Sequence, residues 1–291
     1  MLRRPARPLD SERTLSLPDG RLIGYAEYGE PNGRPVLFFH GTPGSRILGA
    51  DANQLAAEAG IRLIALERPG YGLSDDRRGH LVSDWPADAA FAAGQFGLQR
   101  FAVAGVSGGA PYALACAASL GDRITAVTLI SPAGPTDDLA AYSSMERRML
   151  RWSRNGRSRR VELLAAVGGF FIRRFPGLAL PRIPGDADRR VLKDRAIRAA
   201  VTSHLQEGFR HGPRGVADDY AALARPWGFE FADVHIPVHI WQGEDDRLVP
   251  ASVAIALLRR LPNADSTLVP NTGHLLIFEQ TREILGSLRE Q

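Results

Sequence analysis

The chain has one cysteine in 291 residues, a single lysine among 36 basic side chains, and no run of apolar residues long enough to cross a membrane. Each shortage excludes something. Cys116 has no partner for an intrachain disulfide, and its stretch ALACAASL reads as the surroundings of a buried, inert thiol. No set of Cys and His residues has metal-ligand spacing, so neither a metal nor another cofactor is expected. Without about 18 consecutive apolar residues there is no candidate transmembrane helix. The N-terminus MLRRPARPLDSERT is basic but has no apolar segment of the secretory kind, so a cytoplasmic location is expected. A formal charge of +4 and a pI near 9.6 invite a nucleic-acid reading. Against it, the basic residues are arginines interleaved with acids, and no basic stripe carries spaced stacking aromatics. The excess is local: residues 137–231 carry +7 and the remainder −3. The expected partner is a small molecule.

What is present is a rhythm. RTLSL and RLIGYAEYG flank Pro18-Asp19-Gly20 and read as an antiparallel hairpin, and PVLFFHG is a short apolar run ending at glycine. Five more β-like runs follow: IRLIALERPG, RFAVAGVSGG, ITAVTLISPAG, IPVHIWQGEDD and STLVPNTGH. Helix-length segments at 45–59, 84–98, 109–120, 251–261 and 275–289 separate them. Near-continuous apolar strands alternating with helices imply a mostly parallel sheet covered on both faces, with chemistry at the strand C-terminal ends. One connection, 137–231, is far longer than the usual loop of about 2–6 residues, so it is an insertion with its own structure. Its periodicity is helical. Val161, Leu164, Val167, Phe171, Ile172 and Phe175 fall on one face of a helix, and Val191, Ile197, Val201 and Leu205 do so similarly.

Gly105-Val106-Ser107-Gly108-Gly109 fits G-x-S-x-G, preceded by a strand and followed by a helical stretch, the context in which such a serine stands exposed on a sharp turn. A serine needs a base to take its proton and an acid to orient that base. His274 follows a strand and Gly273 and precedes an apolar helix, which puts it on the same sheet edge as Ser107. The other histidines are less well placed: His40 reads as loop-forming, His235 and His239 as packing residues, and His80, His204 and His211 as polar or helical surroundings. Acids follow a strand at once in WQGEDDRLVP, giving the chain order Ser, Asp, His, with Asp245 and Asp246 both available and Asp137 or Asp138 as fallbacks.

With FFHGTPGSR (38–46), ERPGYGLSD (67–75), GVSGG (105–109), GEDDRLVP (243–250) and TGHLLIFE (272–279) in this order, the chain resembles the α/β-hydrolase fold superfamily, and more closely its capped, esterase-like serine hydrolases. The resemblance implies an eight-stranded α/β core over 1–136 and 232–291, with a helical cap at 137–231. It selects Asp246 as the acid beside Ser107 and His274, and it implies an oxyanion hole from the backbone N–H groups of Thr42 and Gly108. It implies acyl transfer, with an apolar acyl or alkyl pocket suggested by Trp152, Phe170 and Phe171 of the cap. Relatives that dehalogenate or open epoxides carry an aspartate where Ser107 stands. Lactonases, amidases or aminopeptidases, and carbon–carbon hydrolases share the scaffold, as do some small-molecule receptors without turnover. The ERPGYGLSD loop is read as scaffolding, and kcat/KM is expected to rise through an ionisation near neutrality as His274 loses its proton.

Overall fold

The computed structural model describes residues 13–136, 139, 142–180 and 185–290. The fallback acids Asp137 and Asp138 lie outside them. The hairpin forms as β1 (Arg13–Ser16) and β2 (Leu22–Gly29), turning through Gly20 at a φ of 86°. Six further strands follow: β3 (Arg34–Phe39), β4 (Ile61–Leu66), β5 (Phe101–Val106), β6 (Ile124–Ile130), β7 (Val238–Gly243) and β8 (Ala264–Val269). They form one sheet in the order β1-β2-β4-β3-β5-β6-β7-β8. From β4 to β8 every pairing is parallel, and β2 joins β4 antiparallel.

The sequence spells the two-sided burial directly. In β3, Leu37 and Phe39 point into one core layer while Val36 and Phe38 point into the other, because successive side chains alternate across the sheet. The first layer packs under α2 (Trp85–Gln95), α3 (Ala110–Leu120) and a helix at Ala251–Leu258. The second packs under α1 (Asn53–Glu58) and the C-terminal helix Thr281–Glu290. Two helical expectations change in detail. The segment 45–59 opens with a tighter 3₁₀ stretch, Arg46–Ala52, before α1, and 275–289 breaks at Gln280 into Leu276–Glu279 and Thr281–Glu290. Because β4 and β5 flank β3 on opposite sides, the chain reverses direction across the sheet there, leaving a crevice beyond the C-terminal ends of β3 and β5.

Among the described residues, six α-helices lie between β6 and β7: α4 (Ser144–Arg154), α5 (Ser158–Arg174), α6 (Pro176–Ala179), α7 (Asp186–Val191), α8 (Arg195–Gly208) and α9 (Arg214–Leu223). The three helices outside this connection that close the chain are then α10 (Ala251–Leu258), α11 (Leu276–Glu279) and α12 (Thr281–Glu290). In α5 part of the expected face turns inward, with Val161 buried and Leu164 and Ile172 packed against the core, and part does not. Val161, Ala165 and Gly169 are buried, and a side chain at Gly169 would press on the Phe209 ring at 2.6 Å, so small residues at steps of four let the helices approach closely. That choice turns Val167 and Phe170 outward, 49% and 58% exposed.

A charged network fastens the insertion to the crevice. Asp219 of α9 is fully buried and accepts hydrogen bonds from Arg68 Nη2 at 2.6 Å, Thr42 Oγ1 at 2.6 Å, Tyr71 at 3.0 Å and Tyr112 at 2.6 Å. Arg68 also donates to the carbonyls of His40 and Gly41, so one guanidinium and one carboxylate fix the loop after β3. Burial opposes the charge on Asp219, yet Arg68 and the surrounding donors hold its carboxyl well below the ordinary carboxylate range. Beside it, Arg46 bridges buried Glu67 at 2.8 Å and Glu207 of α8 at 2.6 Å. Asp219→Asn leaves the Arg68 guanidinium buried without its counter-charge and is expected to cost about 3–5 kcal/mol. A urea midpoint lowered at unchanged slope is the expected reading; a loss below about 1 kcal/mol would show that the pair does not hold the fold.

Candidate active site

Strand β5 runs straight into α3 through Ser107, whose φ of 50° lies in the left-handed region. A non-glycine residue there costs on the order of 1–3 kcal/mol and persists only where the surroundings dictate it. The glycines do the dictating. A side chain at Gly105 would meet the carbonyl of Gly109 at 2.6 Å, and one at Gly109 would meet the carbonyl of Phe39 at 2.3 Å. The turn therefore closes tightly, and Ser107 alone is left standing into the crevice.

His274 reaches the serine from the loop after β8, its Nε2 3.1 Å from Ser107 Oγ. The opposite ring nitrogen, Nδ1, is 2.7 Å from Asp246 Oδ2, which fixes the tautomer: Nδ1 carries the proton and Nε2 accepts from the serine. Asp246 is 2% exposed and held rigidly. Its Oδ1 accepts from the backbone N–H groups of Leu248 at 2.8 Å and Val249 at 2.9 Å, and its Oδ2 also accepts from Gln242 at 3.2 Å. Asp245, one residue earlier, donates its backbone N–H to Thr272, and it is Asp246 that faces the imidazole. Ser131 completes the clamp by donating to the carbonyl of His274 at 3.2 Å.

Thr42 and Gly108 meet across the mouth of the turn, where a side chain added at Gly108 would lie 2.4 Å from Thr42 Oγ1. Gly108 stands in the first turn leading into α3, where backbone N–H groups have no carbonyl behind them and are open to an anion. Both residues line a cavity of about 60 Å³ together with Ser107 and His274. Its remaining wall mixes Ala133, Leu150, Leu223, Leu248 and Val249 with Tyr142, Glu146 and Tyr220. Trp152, Phe170 and Phe171 do not line it, contrary to the expectation from sequence. Trp152 packs against the main core beneath the guanidinium groups of Arg148 and Arg160, each 5.9 Å from its ring. Phe170 and Phe171 stack edge-on to each other at 5.7 Å on the face of α5 that close helix packing turns away. Among the described residues no group of three His, Cys, Asp or Glu side chains is arranged to hold a metal ion.

A family model described as the alpha/beta hydrolase family matches residues 36–286, which spans this entire constellation. The chain belongs to that family. It is 27% identical over 251 residues to 2-(acetamidomethylene)succinate hydrolase of Mesorhizobium japonicum, covering 84% of this chain and 82% of that protein. It is 26% identical over 267 residues to a non-heme haloperoxidase of Rhodococcus erythropolis, covering 88% and 90%. A thermophilic esterase from Thermogutta terrifontis shares the fold at a TM-score of 0.69 and 22% identity, over 98% of this chain and 97% of the other. No helix among this hydrolase's described residues is long and apolar enough to cross a membrane.

Several residues of the site were not foreseen from sequence. Glu146 was hidden by Ser143-Ser144-Met145-Glu146, a capping-box pattern that assigns such a glutamate to a helix start. Ser143 does cap α4 by accepting from the Glu146 N–H at 3.3 Å, but the Glu146 carboxylate turns instead to Tyr220. Asp188 of α7 reaches the histidine loop, its Oδ1 accepting from the Leu275 N–H at 2.8 Å. Two histidines read as bland are buried supports. His40 donates from Nδ1 to Gly41 and accepts the Arg68 N–H, and His204 accepts the Ser45 N–H at 3.1 Å, while burial and the nearby Arg68 charge push its pKa down to about 4.

Burial opposes a charge on His274, but the Asp246 carboxylate, with Asp188 and Glu146 behind it, outweighs burial and raises its pKa to about 9. Neutrality at Nε2 is thus reached well above the expected range near 7. Since the folded pKa exceeds the unfolded value near 6.5, the stability this imidazolium contributes is complete below about pH 6.5 and is lost as pH rises through about 9. Ring-proton NMR across pH 5–10 is expected to place the His274 midpoint near 9, moving down in Asp246→Asn. A midpoint at or below 6.5 in the native protein would contradict this electrostatic reading.

Proposed function

We propose that the protein is a serine hydrolase that cleaves small carboxylic esters through an acyl-enzyme on Ser107, with His274 as base and acid, Asp246 as its orienting carboxylate, and the backbone N–H groups of Thr42 and Gly108 as the oxyanion hole. The observation that carries this reading is the unbroken line from Ser107 Oγ to His274 Nε2 at 3.1 Å and from His274 Nδ1 to Asp246 Oδ2 at 2.7 Å, opening on a cavity. As Ser107 Oγ attacks the ester carbonyl, its proton passes to Nε2 and the carbonyl electron pair moves onto oxygen, where the two amides hold it. Collapse breaks the bond to the alcohol oxygen, which leaves with the proton from His274. Water then repeats the sequence on the acyl-enzyme, releasing the acid and restoring the serine. The six helices at 137–231 act as a cap over a core of 1–136 and 232–291. Tyr142, Glu146, Leu150, Tyr220 and Leu223, all from this stretch, supply much of the cavity wall in support of that role.

The reading is tested with purified variants on a short activated ester. Ser107→Ala is expected to lose turnover while keeping its circular dichroism spectrum, because a small residue fits the turn but the nucleophile is gone. Asp246→Asn keeps the shape and loses the charge that stabilises the imidazolium, a loss on the order of 10⁴ in kcat in the best-studied triad. Asp245→Asn is expected to stay within about tenfold, since a carboxylate outside the line acts only through a screened field. Near-normal activity in Ser107→Ala would remove the serine from its role, and a crippled Asp245→Asn beside a normal Asp246→Asn would move the acid by one residue.

A further inference from the structure

We infer that Glu146 is the recognition point for a positively charged substrate group, so that the hydrolase acts on small esters carrying an ammonium. This rests on the serine-hydrolase reading and narrows it to a substrate class.

Glu146 stands in the first turn of α4 with its carboxylate on the wall of the cavity that holds Ser107 and His274. Its partner differs in kind from those of three buried carboxylates. Buried Glu67 has Arg46 at 2.8 Å, Asp219 has Arg68 at 2.6 Å, and Asp246 has His274 at 2.7 Å. Glu146 has a neutral phenol: Tyr220 donates one hydroxyl proton toward both carboxylate oxygens, at 2.8 and 2.7 Å. Among the described residues no arginine, lysine or histidine forms an ion pair with it. Glu146 is half-buried, and a carboxylate partly withdrawn from water gains from a cationic partner, because one neutral hydrogen bond does not fully offset its lost hydration. The direction of its ionisation agrees: burial raises the Glu146 carboxyl above its ordinary range, Asp246 adds to this, and Tyr220 with the more distant His274 only partly opposes it.

The surroundings carry more negative than positive charge. Asp246, Asp188 and Glu146 all act on His274, so three carboxylates face one imidazole around the reacting serine. A bound ammonium would accept this field and form a charge-assisted hydrogen bond with Glu146. An isosteric methyl group would dehydrate the carboxylate further and return nothing, and an anionic substrate would be repelled; specificity is the difference between these outcomes.

Two isosteric pairs test this, each differing by a protonated nitrogen in place of carbon. Alanine methyl ester against methyl 2-methylpropanoate puts the charge on the acyl side, and 2-(dimethylamino)ethyl acetate against 3-methylbutyl acetate puts it on the alcohol side. With kcat/KM measured by pH-stat near pH 7, the native enzyme is expected to prefer the cationic member of at least one pair by about tenfold or more, equivalent to about 1.4 kcal/mol. Glu146→Gln, which keeps the volume and the bond from Tyr220, is expected to bring that ratio to about one. Equal or faster turnover of both neutral members, lost in Ser107→Ala, would leave the serine-hydrolase reading standing and overturn the role of Glu146. So would a cationic preference that survives in Glu146→Gln. Should that variant fail to fold, the two native ratios still decide the matter. No Ser107-dependent turnover of any of the four esters would overturn the serine-hydrolase reading and this inference together.

Discussion

The turn between β5 and α3 sets the terms for the rest of the molecule. Gly105 and Gly109 let the strand, the helix and the end of β3 approach closely enough that the carbonyls of Gly109, Phe39 and His40 occupy the space a side chain would need. That close approach forces Ser107 to a φ of 50° and leaves its side chain no direction but the crevice. The crevice itself exists because the sheet reverses direction around β3. Local strain, a topological switch and an exposed hydroxyl are therefore one fact seen at three scales.

The insertion then completes what the core leaves open, one loop at a time. Asp219 holds the loop after β3 through Thr42 and Arg68, His204 and Glu207 hold Ser45 and Arg46, and Asp188 holds Leu275 next to the imidazole. Polar groups from separate helices thus tie down the loops bearing Thr42 and His274, as catalysis by positioned groups requires. Helices α4 and α9 of the insertion add Glu146 and Tyr220 to the cavity wall, so the insertion both braces the loops of the candidate site and gives its cavity polarity.

The fold was readable because its signals are local. Alternating apolar strands and the hairpin at Pro18-Asp19-Gly20 depend only on neighbours in sequence, and so does the strand–Ser107–helix unit. Ser107, His274 and Asp246 were legible for the same reason: each follows a strand of a parallel sheet, and all such ends share one edge. The pocket was not. Which face of α5 turns inward is decided by the contact of Gly169 with Phe209, a tertiary fact that periodicity cannot weigh, so Phe170 and Phe171 were assigned to a cavity they do not reach. Glu146 failed differently, since a helix-start pattern explained it fully without its second partner, Tyr220, 74 residues away. The shift of His274 to about 9 owes most to Asp246, and the smaller contributions of Asp188 and Glu146, which come from two different helices, have no local signal in the sequence.

The claim on which the rest turns is that Ser107 is an activated nucleophile. Treatment of the native protein with a fluorophosphonate, followed by intact-mass and peptide mass spectrometry, measures this most directly. The expected result is one adduct per chain on the peptide containing Ser107, forming more slowly in Asp246→Asn because the imidazole has lost its orienting charge. An adduct on another residue, or an unlabelled Ser107 in folded protein, would contradict it.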